Sequence, residues 1–560
     1  MSSKLQLTTL AVLVSAALPA QAALYKVVEV TDTGGVTGTE YYGTAIQPSD
    51  EALNASYPLG CFDSAVTGCE DYKLAGETRE RPDGFSYREE VPFAMDNSFG
   101  YIEDDYDGFE DYCFFQLGYA TCEYWASDRW SSWSNETYGS DTPNSLAFIE
   151  GTAKAPAGAI NTVINSFSKA SGSVNTIGNY STSSKRNEVF SDVANADILT
   201  KPQSRAWASD GTYVVGSTST KSGVGDNRYY YSSSPAIWDA SNLISIARAG
   251  GSEKDGDYYS QGSMRDFYID TTAFYGVGYN NYNDQHMNAT IFVASSTDPM
   301  TATWSQKQIS GAEVDAGDDN TNTNSVATNI NKNLVVVGQA KRSGSYPQNG
   351  AAANRLFVVE NVNSPSAHFF DGTDGSIFFN GAGGEMGGIN NYNEIVGRID
   401  SENHREYDGK QRRQRAFIYP YGLTSKVTDS TEQAAITDRK AIFQNKAWLL
   451  DDLTNDGSTT GNNQYRIYDA TDINDAGVIS ATAVMCPGGY DSTAHNAYCD
   501  DGNGDETVVA VKLVPIADEA QRNIEPRTYE STASERQGAG LGFGALTLLG
   551  LFGFMRKRIK

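Results

Sequence analysis

Short apolar runs, each entered through a turn rich in Asn, Asp and Gly, recur along the middle of the chain. Five segments align: AWASDGTYVVGSTS from Ala206, FYIDTTAFYGVGYN from Phe267, VATNINKNLVVVGQA from Val326, GGINNYNEIVGRID from Gly387 and ATDINDAGVISATA from Ala470. Their closing positions Gly216, Gly278, Gly338 and Gly397 are spaced 62, 60 and 59 residues apart, and the fifth, Ala481, follows after 84. A second apolar run follows each: Ala236-Ile237-Trp238, Thr290-Ile291-Phe292-Val293, Arg355-Leu356-Phe357-Val358, Ala416-Phe417-Ile418-Tyr419 and Val508-Val509-Ala510-Val511. PFAMDNSFGYIE from Pro92 reads as a weaker first copy, closed after a long insertion by Ala147-Phe148-Ile149. Runs this short, bounded by residues that accept the positive φ of tight hairpins, are strands. Few long segments have the 3.6-residue period of a helix.

A unit of about 60 residues holds four short strands, and one such sheet cannot bury both faces alone, so units must stack. This predicts an all-β fold, a β-propeller of about six blades, in which radial stacking leaves only short edges. A β-sandwich array or a β-solenoid is the alternative arrangement.

The two ends follow other rules. Lys4, the apolar stretch Leu5 to Leu18 and the small residues of Ala20-Gln21-Ala22 predict a signal peptide cut by signal peptidase, so that the mature chain starts near Ala23 or Leu24. From Gly538 to Met555 the chain runs 18 residues without a charge, then closes on Arg556, Lys557, Arg558 and Lys560. That length just suffices to cross a bilayer as a helix, with the cations on the cytoplasmic side. The predicted organisation is a signal peptide at 1–22, a repeat domain at 23–515 with an aromatic insertion at about 101–140, a polar stalk at 516–537 and a tail at 538–560.

The run Ile389 to Gly397 (INNYNEIVG) followed by Ala416-Phe417-Ile418-Tyr419 resembles the extracellular HAF repeat. With the segment Ala23 to Val30 after the signal, the whole chain resembles the DUF3466 group, exported proteins of uncharacterised function. That resemblance implies no catalytic residue to carry over. The tail resembles the GlyGly-CTERM sorting signal, although Gly538-Ala539-Gly540 departs from its paired glycines. The likeness implies cleavage by a rhomboid-type intramembrane protease (rhombosortase) and delivery to the surface, often through type II secretion. The expected location is the cell surface or medium of a Gram-negative bacterium, after transient inner-membrane anchoring by the tail. A permanent tail anchor is the alternative.

The chain carries a formal charge of −28, and loss of both ends removes five cations and no acid, leaving −33. Such a surface repels nucleic acid and anionic lipid, so neither is an expected partner, and membrane contact is expected through the tail alone. Six cysteines fall into local pairs: Cys61 with Cys69, Cys113 with Cys122, and Cys486 with Cys499. In an exported chain their closeness favours these three disulfides among the fifteen pairings, over zinc, since no CxxC is present.

Calcium is the one cofactor the loops suggest, because Asp501, Asn503 and Asp505 offer oxygens at alternating positions. Glu506 and Lys512 occupy places where an EF-hand needs Gly and a bidentate Glu. Solvated acidic loops are the plainer reading. The aromatic insertion, with Trp125, Trp130 and Trp133, suits either a ligand platform or a local core packing the insertion onto the domain. The basic cluster Lys410, Arg412, Arg413 and Arg415 reads as a charged strand edge. GxSxG, HExxH and GxxxxGK[ST] are all absent, so no catalytic residue is assigned. The sequence therefore favours a non-enzymatic surface or secreted protein binding a glycan, polymer or envelope protein. An extracellular polysaccharide hydrolase or lyase using carboxylates on the propeller face is the alternative.

Overall fold

Seven antiparallel sheets of three or four strands succeed one another along the chain and stand side by side in a ring. A two-stranded pair, Lys254–Asp255 with Tyr258–Tyr259, lies between the third and fourth in sequence. The structure, a computed structural model, describes residues 23–530 except 82–86, 89–104, 112, 115–120, 138–142, 226–227, 251–253, 256–257, 283–286, 314–324, 342–353 and 405–411. Each sheet is one blade. The innermost strands are Glu40–Ile46, Thr162–Phe167, Ser204–Ser209, Ser263–Ile269, Ser325–Ile330, Gly384–Ile389 and Tyr465–Ile473, in blades 1 to 7. Blade 2 has three strands and the others four. The ring is closed by the strand Tyr25–Glu29, which forms the outer edge of blade 7 by pairing with Thr507–Pro515 (Tyr25 opposite Pro515).

The fold is thus a seven-bladed propeller, neither a sandwich array nor a solenoid, and the expected count of about six is corrected. Blade 2 is the blade the 60-residue spacing hides. Its second strand carries Gly178, only 38 residues before Gly216, because the blade lacks a fourth strand. Blade 1 begins at Glu40 and not in the segment from Pro92, which lies outside the described residues. Ala147–Ile149 is its third strand, paired with Leu74–Arg79.

One irregularity repeats in every blade. The inner strand slips register by one residue against the second strand, at Thr44, Asn165, Trp207, Arg265, Thr328, Gly387 and, in blade 7, at both Tyr468 and Thr471. Opposite the bulge stand Gly76, Gly178, Gly216, Gly278, Gly338, Gly397 and Ala481. The bulge drives an inner-strand carbonyl against the second strand. A Cβ at Gly216 would lie 1.8 Å from the Arg205 oxygen, and one at Gly278 2.0 Å from that of Ser263. The repeated glycine of the sequence pattern is a consequence of this contact.

Turns between the first two strands are tied by their leading side chains. Asn331, Asn390 and Asn474 each accept the N–H four residues on, at 3.0–3.1 Å. The same side chains donate onward to the next blade's turn: Asn331 to Asn390 O at 2.8 Å, Asn390 to Asn474 O at 3.2 Å, and Asn474 to Gln47 O at 3.0 Å. Apolar side chains fill the space between successive sheets.

The three expected disulfides are present. Cys61 is bonded to Cys69, Cys113 to Cys122, and Cys486 to Cys499, with Cα atoms 5.9, 5.7 and 5.7 Å apart. No free cysteine remains among the described residues. Each bridge closes a loop outside the blade strands. Cys61 and Cys69 lie in the connection between the first two strands of blade 1, and Cys113 and Cys122 in its long insertion. Cys486 and Cys499 lie between the second and third strands of blade 7.

Candidate functional site

One bulge from each blade shares a destination. A β-bulge turns its extra residue out of the alternating pattern, and here Thr44, Asn165, Trp207, Arg265, Thr328, Gly387 and Thr471 all line one cavity on the propeller axis, of about 650 Å³. That volume lies within the range of small-ligand sites. At one end it is ringed by the starts of the inner strands, with Tyr42, Glu385 and Asp469, and at the other by the turns, with Asn331, Asn390 and Asn391.

The start end carries guanidinium groups held by acids. Glu77, fully buried, accepts from Arg79 at 3.2 Å and from Arg88 at 3.0 Å. Those two cations outweigh the burial that would raise the Glu77 carboxyl, and hold it below its ordinary value. Arg88 belongs to the insertion of blade 1 and also donates to Asn165 at 3.3 Å, so the insertion reaches the cavity wall. Arg79 lies 3.9 Å over the Tyr42 ring. Arg398 pairs with Glu385 at 2.6 Å and approaches Asp469 at 3.5 Å. Arg265 stacks 3.7 Å over Trp207, joining the bulges of blades 3 and 4.

Beside two bulges stand aspartates. Asp266 accepts the Ile330 N–H of blade 5 at 3.0 Å and pairs with Lys169. Asp472 accepts the Ile46 N–H of blade 1 at 3.0 Å and its neighbour's N–H, from Ile473, at 2.8 Å. Both carboxylates therefore latch one blade to the next while lining the cavity. Burial pushes the Asp472 carboxyl up to about 6, helped by the charge of Asp266, against the pull of the Ile46 and Ile473 amides and Lys169. Burial also raises Asp469, against Arg398.

The residues singled out from sequence lie elsewhere. Trp125, Trp130 and Trp133 sit on the helix Glu123–Thr137, off the cavity wall. Trp125 is buried with Arg129 4.4 Å over its ring, Trp130 meets Tyr106 edge-to-face at 6.3 Å, and Arg186 lies 4.9 Å over Trp133. Asp501, Asn503 and Asp505 are on an exposed loop, where the Asp501 N–H donates to Asp491 at 2.9 Å. Among the described residues no three His, Cys, Asp or Glu side chains converge as a metal site. The six cysteines, Cys61, Cys69, Cys113, Cys122, Cys486 and Cys499, are likewise off the cavity wall, and their part is to staple loops.

The basic cluster is no strand edge, because Gln414–Pro420 is an interior strand of blade 6. Arg412 pairs with Asp400 at 3.2 Å, Arg413 with Glu402 at 3.6 Å and Arg415 with Asp451 at 2.9 Å, while Lys410 lies outside the described residues. Ala20, Ala22, Gly538, Ala539 and Gly540 also lie outside them. No described helix is long and apolar enough to cross a membrane. The axial residues were missed, although a signal exists: in blades 3 and 5–7 they stand nine or ten positions before the anchor.

Fold and site define a seven-bladed propeller with a polar axial cavity. The chain belongs to the family described as "Protein of unknown function (DUF3466)", which matches residues 252–558, more than half of its length. No curated protein matches it. Among solved structures it is similar to a protein of unknown function from Dyadobacter fermentans DSM 18053, at 9% identity, 88% of this chain, 100% of that one and a TM-score of 0.33. It is also similar to one described as a glycoside hydrolase, at 11% identity, 58% of this chain, 90% of that one and a TM-score of 0.23.

Proposed function

We propose that this protein is an exported, surface-associated or secreted binding protein whose axial cavity takes a saccharide segment of a glycan or polymer. The observation that carries the reading is the ring of bulges, through which all seven blades contribute to one cavity of about 650 Å³. Its walls suit a polyol: side-chain amides of Asn329, Gln339 and Asn391 line it, and the rings of Tyr42 and Trp207, each with a guanidinium on one face, add aromatic surface. Signal peptidase, a rhombosortase-type protease and type II secretion are the partners proposed for delivery. Mass spectrometry of the mature ends tests that part; an intact Lys560 at the cell surface rejects tail removal.

The binding test is a glycan array with the purified mature protein, repeated with Thr328→Trp, which fills the cavity, and with Trp125→Ala in the insertion. Loss of binding in Thr328→Trp alone supports the axial site. Loss only in Trp125→Ala moves the site to the insertion.

A second reading, hydrolase or lyase, has one observation in its favour. Asp472 lines the cavity together with Asp266 and is pushed up to about 6, toward the protonation that a general acid needs. Under it, Asp472→Asn abolishes turnover of a bound oligosaccharide without weakening its binding.

A further inference from the structure

Three carboxylates on the cavity wall have cations in contact: Asp266 has Lys169, and Glu385 and Asp469 share Arg398. Asp472 has two backbone N–H groups, and among the described residues no cation lies within ion-pair distance of it. Beside it blade 6 places two glycines, Gly387 and Gly388. A Cβ at Gly388 would lie 3.4 Å from an Asp472 carboxylate oxygen, and one at Gly387 2.0 Å from the Ala470 oxygen. Backbone thus stands where a side chain would crowd this carboxylate.

We infer that Asp472 is the anchor for an ammonium group, and that the ligand is an amino sugar with a free amine, as in a glucosamine oligomer. This rests on the saccharide reading of the cavity and names the sugar class. An ammonium satisfies the carboxylate with a charge-assisted hydrogen bond, the kind a buried carboxylate favours most. Neutral sugars leave Asp472 unpaired. A uronate brings a second negative charge beside Asp472 and Asp266, with Lys169 already engaged.

The sign of the pH dependence follows from the groups facing Asp472, which are Asp266 and Lys169. Above about pH 6 Asp472 is ionised and pairs with the amine; below it the carboxyl is protonated and the attraction is lost.

The test is calorimetric titration of the mature protein with fully deacetylated glucosamine tetramer, its N-acetylated counterpart and a neutral glucose tetramer. At pH 6.5, where Asp472 is ionised and the sugar amine is still largely protonated, the free-amine oligomer is expected to bind at least about tenfold more tightly than the N-acetylated one, from the worth of a hydrogen bond to a charged group. The preference should fall at pH 5 and disappear in Asp472→Asn. Acetylation changes the ligand alone, so the comparison stands even if the variant fails to fold. Equal binding of the three oligomers, or binding of the neutral one alone, overturns the amine inference and leaves the saccharide site standing. Binding of none of the three at millimolar concentration overturns the inference and counts against the saccharide reading as well.

Discussion

Arg439 shows how one residue can hold two blades together. It is fully buried, donates to both oxygens of Glu394 at 2.8 and 2.6 Å, reaches the Asp475 carbonyl at 2.6 Å and lies 4.2 Å over the Tyr392 ring. The helix Ser430–Ile442 that carries it is thereby pinned beneath the turns of blades 6 and 7. Arg439→Ala leaves Glu394, itself 1% exposed, as an unpaired buried charge. A loss of about 3–5 kcal/mol in urea unfolding is expected. The double variant Arg439→Met, Glu394→Leu removes both charges and should recover most of it. If the double variant is no more stable than Arg439→Ala, the pair is not the source of the loss.

Among the elements, the segment after the last strand runs back over blades 6 and 7. The Arg527 N–H donates to Asp452 at 2.8 Å, its side chain reaches the Asp451 carbonyl at 2.6 Å, and the Tyr529 ring stacks on His495 at 4.9 Å. The His495 N–H donates to Thr528 O at 2.9 Å. Burial alone would weaken proton binding by His495, but Asp451 and Asp452 outweigh it and raise its pKa above the ordinary 6.5. Its contribution is therefore present in full below about pH 6.5 and lost as pH rises through the folded value. Wild type should exceed His495→Asn by about 1.5–3 kcal/mol at pH 5.5, with the gap narrowing toward pH 9. A constant gap would show that the charge of His495 plays no part. Such cross-chain contacts leave little trace in sequence, because Asp451, Asp452, His495 and Arg527 have no fixed spacing. The turns were legible for the opposite reason: Asn474-Asp475-Ala476-Gly477 makes its hairpin from neighbours alone.

Closure of the ring as a whole depends on Tyr25–Glu29. Tyr25 is fully buried, stacking against Phe443 at 6.4 Å and meeting Phe62 edge-on at 5.6 Å. Removing residues 24–29 exposes the edge of Thr507–Pro515 and this aromatic contact. A loss of at least about 5 kcal/mol and a lower calorimetric transition are expected, from two buried apolar side chains and an opened strand edge. Unchanged unfolding would mean that the ring does not need this strand.

The all-β class, the repeat, the turn chemistry and the pairings of Cys61 with Cys69, Cys113 with Cys122 and Cys486 with Cys499 were all readable along the chain. Each depends on residues close in sequence or on a spacing that recurs. The glycine anchors were visible while their cause was not, since a Cβ at Gly278 collides with a carbonyl of the paired strand. The blade count needed the assembled ring, because blade 2 lacks a strand and blade 7 borrows its edge from the N-terminus. So did the site. Thr44, Asn165, Trp207, Arg265, Thr328, Gly387 and Thr471 are chemically unlike, and only those of blades 3 and 5–7 share a spacing from the anchor; they meet because a bulge at the same place in each of seven blades turns one residue toward a common axis.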